Sequence, residues 1–570
     1  MINYFEPYFK LDTNHTTYCF KVLETGHLEH LHYGDYLFGE SADDLHPLSR
    51  QRAFGVGNSI AYDEEHQELT LENVCLEFGT KGKGDLREPL IDVTLADGST
   101  TRDFLYVSHV IDDSEPDLKG MPGSYGDCEH LCITLKDQNS DLVLKLHYHV
   151  YAKYDVITRY SELINEGEEG VIINRLLSNQ IDFDQTGLVM TTFNGAWARE
   201  MMRYDHHVTS GSHVNMSTTG TSSSRANPFV MISRTETNDH IGRCYGFNLI
   251  YSGNHYESFS VNAFDQSRFV QGINPDFFAY RLEAGETFMS PEAIMSYDNH
   301  GFNDLSSHFH AFINDCIVRG SYKHKERPIL LNSWEAAYFN IDERRLLRLA
   351  RKAKEAGIEL FVMDDGWFGE RNDDTSSLGD WYVNEKKLPK GLDGIASKIN
   401  DMGMEFGLWV EPEMVNPNSH LYRQHPEWIL GHPTHHQSLG RHQCILDLCN
   451  PEVVDYLFKT MSNVFSAANI SYIKWDMNRN ISDYYSPYLD AEHQSEVGHR
   501  YVLGLYNLME RLTTAFPYIL FEDCASGGNR FDLGILSYFP QIWASDDTDA
   551  IYRLEAQQNY SYGYHIRRYT

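Results

Sequence analysis

The sequence predicts a multidomain β and α/β protein, with an N-terminal β-sandwich over residues 1–325 and a (β/α)8-type TIM barrel over residues 326–570. Three observations predict it. The chain has 570 residues, and single hydrophobic cores stop growing beyond about 250–300 residues. Up to about residue 320, short runs alternate apolar with polar side chains and break at Gly, Asn, Asp and Ser, the period of antiparallel strands. Beyond Pro328, strand-like runs alternate with helical stretches and end in polar residues, the rhythm of a parallel barrel.

In the first domain the alternation is clearest over residues 142–150 and 259–264, and residues 305–317 read as a helix leading out of the sandwich. The barrel strands fall at 329–334, 360–365, 406–411, 472–476, 518–523 and 541–546. Helices lie between them at 342–356, 391–402, 451–468 and 496–516, and a last one begins near 550. Residues 444–448 have strand character, but Arg441 and Gln443 crowd them, and they are assigned to the long loop before the fourth strand. A closed barrel needs eight strands. Six are legible, so the barrel is expected to be incomplete, with its first and sixth strands as open edges.

Hydrophobic content of 41% and charged content of 23% are ordinary for a globular chain. Aromatic residues reach 13%, with 36 Tyr, 30 Phe and 8 Trp; such rings stack on sugar faces, although for any single one a core position is the more frequent use. The net charge of −35 argues against nucleic acid as a partner, because that binding needs clustered cations, and it suits a neutral substrate. Nine cysteines without regular spacing form no disulfide framework. The N-terminus carries no secretory pattern, and no apolar run is long enough to span a membrane, so a cytoplasmic location is expected.

The chemistry sits at the strand ends. Lys474 and Asp476 are two apart on a strand and share one face, so the ammonium favours an ionised, nucleophilic Asp476. About seventy residues later comes Ser545-Asp546-Asp547-Thr548-Asp549. Two acids at the C-terminal ends of different strands are what glycoside cleavage requires: one carboxylate attacks the sugar carbon while the other protonates the departing oxygen. A strand-end salt bridge is the bland reading of Lys474 and Asp476, and the other strand ends weigh against it. The second strand ends in Asp364-Asp365-Gly366-Trp367, whose carboxylates suit sugar hydroxyls better than a metal, since no His stands at ligand spacing. Trp334 and Trp409, at the ends of the first and third strands, offer indole faces to a sugar, and Glu411 stands two residues beyond Trp409. The glycines of Cys524-Ala525-Ser526-Gly527-Gly528-Asn529-Arg530 allow close approach of backbone to ligand, and the segment does not fit a phosphate loop. Neither a metal nor an organic cofactor is expected.

Residues 331–338, 363–369, 409–414, 474–479, 524–530 and 543–550 resemble, in order and spacing, the α-galactosidases of glycoside hydrolase family 36. The resemblance implies an N-terminal β-supersandwich, a catalytic barrel and a C-terminal β domain. It further implies retaining hydrolysis of terminal α-galactosides such as melibiose and raffinose by a homo-oligomer, a tetramer or dimer. By motif, Asp476 resembles the nucleophile and Asp546 the acid/base, with Asp547 and Asp549 as competing candidates for the second role. Asp364 and Asp365 resemble the ligands of the galactose 4- and 6-hydroxyls. Trp409, Arg441, Lys474, Asn478, Cys524 and Gly527 would complete the pocket, and Trp197 resembles a tryptophan that reaches the site from the β domain.

Two departures qualify the resemblance. Residues 72–79, before 85–89, differ from the family's loop there, which bears on acceptor preference and oligomer contacts. The chain also stops soon after the sixth helix, where family members continue to two more strands. The rival readings are a raffinose-synthase-type galactosyl transferase, an α-N-acetylgalactosaminidase, and an inactive truncated fragment.

Overall fold

The computed structural model describes residues 1–50 and 57–568. The first domain is built from antiparallel sheets of four, six and ten strands. Their inner faces make one core, in which alternate residues of Glu129–Asp137 (Leu131, Ile133, Leu135) meet Leu144, Leu146, Phe247 and Phe269. The divergent loop is fixed to this sandwich. Arg87 donates to the carbonyls of Leu71 and Val74 and to Asp182, and Asp182 also accepts two hydrogen bonds from Arg268.

The connecting helix runs Phe302–Phe312, three residues earlier than expected, and closes with a π-helical turn over Ile313–Ile317. Phe302, Leu305, Phe309 and Phe312 are its buried stripe. That stripe joins Phe193 and Phe229 of the sandwich and Phe531, Tyr560 and Tyr564 of the second domain in a common core.

The second domain is a parallel sheet in chain order: Leu330–Asn332, Leu360–Met363, Glu405–Val410, Tyr472–Trp475, Leu520–Asp523 and Gln541–Ile542. Every adjacent pair is parallel. Helices Glu343–Glu355, Gly391–Asp401, Pro451–Ser466, Val497–Ala515 and Ala550–Tyr560 alternate with strands. Asp342 caps the first of these by accepting the Arg345 N–H, and Gly357 at φ +89° ends it in the left-handed conformation that glycine adopts without penalty. The sheet is therefore the curled half-barrel expected from six strands, although its edges are shorter than the sequence suggests. The first strand stops at Asn332, whose Oδ1 accepts the Trp334 N–H, and Trp334 opens the short helix Trp334–Ala337. The sixth strand keeps two residues, so Asp546 lies on the loop after it. Cys444–Ile445 does pair, antiparallel with Met414–Val415, as a ribbon outside the barrel sheet. Residues 569 and 570 of the expected barrel domain lie outside the described residues. Among the described residues, no helix is long and apolar enough to cross a membrane.

Candidate active site

The strand Tyr472–Trp475 delivers Asp476 to the C-terminal end of the sheet, where its backbone N–H reaches the Val410 carbonyl of the neighbouring strand. Its carboxylate is buried and surrounded by donors. Oδ2 accepts from Asn478 Nδ2 at 2.7 Å and from Trp409 Nε1 at 3.1 Å; Oδ1 accepts from the Met477 N–H at 2.9 Å and, more weakly, from the Ser526 N–H at 3.4 Å. Burial works against the charge, but the Lys474 ammonium and the Asn478, Trp409 and Cys524 donors outweigh it and hold the carboxyl below its usual range. Trp409 is 2% exposed, stacked parallel to Phe368, so its edge rather than its face meets the site.

Lys474 Nζ lies 3.0 Å from Asp364 Oδ2, which also accepts from Asn332 Nδ2 at 2.6 Å. The ammonium thus sits among acids: burial opposes its charge, and Asp364 first, with Asp476 and Glu522, raises its pKa well above the ordinary value. Asp365 turns the other way. Arg371 grips it through Nε and Nη2 at 3.0 and 2.8 Å in a buried fork, and burial still leaves its pKa raised. The paired acids are therefore not equivalent. Asp364 faces Lys474, and Asp365 is committed to a guanidinium.

Asp546 has a different environment. It is exposed, and its two oxygens accept indole N–H groups: Trp543 Nε1 to Oδ1 at 3.0 Å, Trp197 Nε1 to Oδ2 at 2.8 Å. Trp197 belongs to the sandwich. It sits at the tip of the hairpin Val189–Ala196/Arg199–His207, where Ala198 takes φ +55° to complete the tight turn and the indole stands 67% exposed. Asp547 and Asp549 have local tasks: the Asp547 N–H donates to Ser545 Oγ and its carboxylate accepts the Asp549 N–H, and Asp549 caps the helix Ala550–Tyr560.

The loop 524–527 joins the two carboxylates. The Cys524 thiol is buried and kept neutral by that burial and by the charge of Asp476, with Asp546 adding in the same sense. Gly527, at φ +82°, has no room for a side chain, since a Cβ there would come within 2.7 Å of Glu200 Oε1 and 2.9 Å of the Asp546 nitrogen. Arg441 stands at the exposed mouth on a left-handed turn, φ +51°; desolvation in the cleft opposes its charge, and Glu411, Asp476 and Asp365 overcome it to raise its pKa. Trp334 packs edge-on against Tyr338 and Phe339, half-buried beside the Asn332 that binds Asp364.

Comparison with known proteins matches the chain in two segments. The Glycosyl hydrolase family 36 N-terminal domain model matches residues 26–283, and the Melibiase model matches residues 287–569. The chain belongs to glycoside hydrolase family 36. This family 36 chain is 42% identical to the α-galactosidase AgaA of Geobacillus stearothermophilus, covering 98% of its own length and 76% of the relative's. It is 39% identical to the α-galactosidase Mel36A of Lactobacillus acidophilus, with the same coverages of 98% and 76%. Among solved structures, an AgaA variant in complex with raffinose superposes at TM-score 0.96 with 40% identity, covering 99% of this chain and 78% of that one. The α-galactosidase of Lactobacillus brevis gives TM-score 0.95 and 41% identity over 98% and 75%. The chain spans about three quarters of the length of these relatives.

Four residues that build this candidate site were invisible or undervalued in the sequence. Arg371 and Glu200 show no local pattern; they become partners of Asp365 and Ser545 through the fold. Glu411 was legible as a strand-end acid, but not its state. Fully buried, accepting from the Asn478 N–H and Gln443 Nε2, it has its pKa pushed up to about 8 by burial and by the charge of Asp476, with Arg441 and Asn478 opposing. Glu413, two residues further, accepts from Trp475 Nε1, Tyr501 and Arg530, and so anchors the strand that ends in Asp476. An acidic residue with i, i+2 spacing beyond the strand was the available signal.

Proposed function

We propose that the chain is a retaining α-galactosidase that removes terminal α-D-galactosyl residues from oligosaccharides such as melibiose and raffinose. The observation that carries this reading is the contrast between two carboxylates flanking the loop 524–527. Asp476 is buried and kept ionised by Lys474 and the Asn478, Trp409 and Cys524 donors, whereas exposed Asp546 holds two indole N–H groups and opens toward solvent. Asp476 attacks the anomeric carbon; the C1–O bond to the leaving group breaks as Asp546 gives its proton to that oxygen. The galactosyl–Asp476 ester is then cleaved by a water that Asp546 deprotonates, and two inversions leave the α configuration. Donors around Asp476 offset the charge it loses and regains, and no step needs a metal.

In this reading Asp364 and Asp365 accept galactose hydroxyls, with Lys474, Trp409, Arg441, Asn478, Cys524 and Gly527 lining the pocket and Trp334 and Trp197 at its rim. The relatives crystallised with raffinose and stachyose support α-galactoside oligosaccharides as the substrate class. The division into a sandwich over 1–325 and a catalytic half-barrel over 326–570, a cytoplasmic location and a homo-oligomeric state belong to the same proposal.

The test is hydrolysis of an aryl α-galactoside by the 570-residue chain, with the Asp476→Asn variant beside it and proton NMR to follow the first anomer released. Turnover that gives α-galactose first and is abolished in the variant supports the reading. β-galactose as first product, or preference for the N-acetylgalactosaminide or for transfer over hydrolysis, would replace it with one of the rival readings. No turnover by the unsubstituted chain would favour an inactive fragment.

A further inference from the structure

Glu200 is a buried acid that the double-displacement chemistry does not use. It is 0% exposed, and two hydroxyls and a backbone N–H donate to its carboxylate. Oε2 accepts from Ser545 Oγ at 2.6 Å and from the Tyr552 hydroxyl at 3.1 Å; Oε1 accepts the Ala198 N–H at 3.2 Å. Ser545 Oγ in turn accepts the Asp547 N–H at 3.0 Å. The residues on both sides of Asp546 are thus tied to one hydroxyl, and that hydroxyl to Glu200. Three residues before Glu200 on the same hairpin, Trp197 binds the Asp546 carboxylate itself.

The remaining partners of the loop come from the barrel side. Arg553 donates Nε to the Asp547 carbonyl and Nη2 to the Ser545 carbonyl, both at 2.8 Å, and Tyr560 donates to the Ala544 carbonyl at 3.0 Å. Main-chain carbonyls are thus held from one side, and the Ser545 side chain from the other. Gly527 and Gly528 pass so close to Glu200 that a Cβ at Gly527 would strike its Oε1. A buried carboxyl with three donors and neighbours this tight has one position available.

We infer that Glu200 is a positioning residue of the sandwich domain that sets the Asp546 loop, so that the first domain completes the acid/base apparatus of the barrel. The inference rests on the α-galactosidase reading and on Asp546 as its acid/base. It differs from a general stabilising role in which step it affects. A displaced acid hinders departure of a leaving group that needs a proton and hardly affects one that does not.

The experiment measures kcat/KM on melibiose and on an aryl α-galactoside with a dinitrophenyl leaving group. Glu200→Ala, Glu200→Gln, Ser545→Ala and Asp546→Ala are compared with the unsubstituted chain. Glu200→Ala and Ser545→Ala are expected to lower kcat/KM on melibiose by on the order of a hundredfold, the effect of about 1 Å of misplacement, while the dinitrophenyl substrate changes by less than about fivefold. Glu200→Gln, which keeps one acceptor oxygen, falls between. Asp546→Ala shows the same split more strongly. Ser545→Ala leaves Glu200 in place and reads the same contact if Glu200→Ala does not fold. Equal losses on both substrates, or no loss on melibiose, in Ser545→Ala overturn the inference. Absence of the split in Asp546→Ala, or no turnover by the unsubstituted chain, overturns the functional reading itself.

Discussion

Trp197 donates its indole N–H to Asp546 Oδ2 at 2.8 Å across 349 residues of sequence. A residue of the β domain therefore shares the acid/base candidate with Trp543 of the barrel. Trp197→Phe keeps the ring and removes the donor. A hydrogen bond to a charged group contributes about 1.5–3 kcal/mol when well made, and because Trp197 is 67% exposed the low end applies. The expected outcome is about a tenfold loss of kcat/KM on melibiose; an unchanged value would remove Trp197 from the acid/base environment.

Trp409 performs the matching task for Asp476. Burial raises the pKa of that carboxyl, and the Trp409 N–H acts with Lys474 and Asn478 to hold it below its ordinary range. Trp409→Phe therefore raises the Asp476 pKa, and the acid limb of the kcat/KM profile moves to higher pH. A profile whose acid limb stays in place would show that the indole does not set the ionisation of Asp476.

Gly527→Ala places a Cβ against Glu200 Oε1 and the Asp546 nitrogen, on a backbone at φ +82° that disfavours any side chain. Displacement of the loop by about 1 Å should cost on the order of a hundredfold in kcat. Kinetics on melibiose with circular dichroism of the folded variant check it, and near-full activity would contradict the tight approach.

Arg371→Met leaves Asp365 buried without the fork that now binds it. Breaking a buried ion pair from one side typically costs about 3–5 kcal/mol. Urea unfolding at neutral pH should show a loss of that order; a loss below about 1 kcal/mol would indicate that Asp365 protonates or finds water at little cost.

Glu411 makes stability depend on pH. Its folded pKa is raised to about 8 from the ordinary 4.5 of a glutamate, chiefly by burial and then by Asp476. A raised folded pKa means the proton is bound more tightly in the folded state. Its contribution is fully present below about 4.5 and is lost as pH rises toward 8. Glu411→Gln, neutral throughout, should flatten the decline of Tm between those values. An unchanged slope would assign the decline to other groups, of which Asp523, raised to about 7 by burial against Arg530, is the first to examine.

The barrel strands and their terminal acids were legible because a parallel strand between helices is apolar along its length and then meets solvent and substrate at one end. That rule located Asp364, Asp476 and the region of Asp546. It overstated the edge strands. At 329–334 and 541–546 the apolar run continues into turns, where Asn332 takes the Trp334 N–H and Ser545 is drawn toward Glu200. Trp334 and Asp546 are thus loop or helix residues rather than strand ends. What the sequence withheld is long-range: Trp197 was visible only through family resemblance, and Glu200 and Arg371 only once the hairpin and the 366–371 loop were folded against the sheet. The ionisation of Glu411 depends on burial, which no spacing encodes.

In the proposed mechanism Asp476 forms the covalent bond to the sugar. Incubation with an activated fluorogalactoside that traps the glycosyl–enzyme, followed by intact and peptide mass spectrometry, tests it most directly. One added glycosyl mass per chain is expected, on the peptide containing Asp476 and absent from Asp476→Asn. A label on another residue, or turnover of the reagent with inversion and no label, would contradict it.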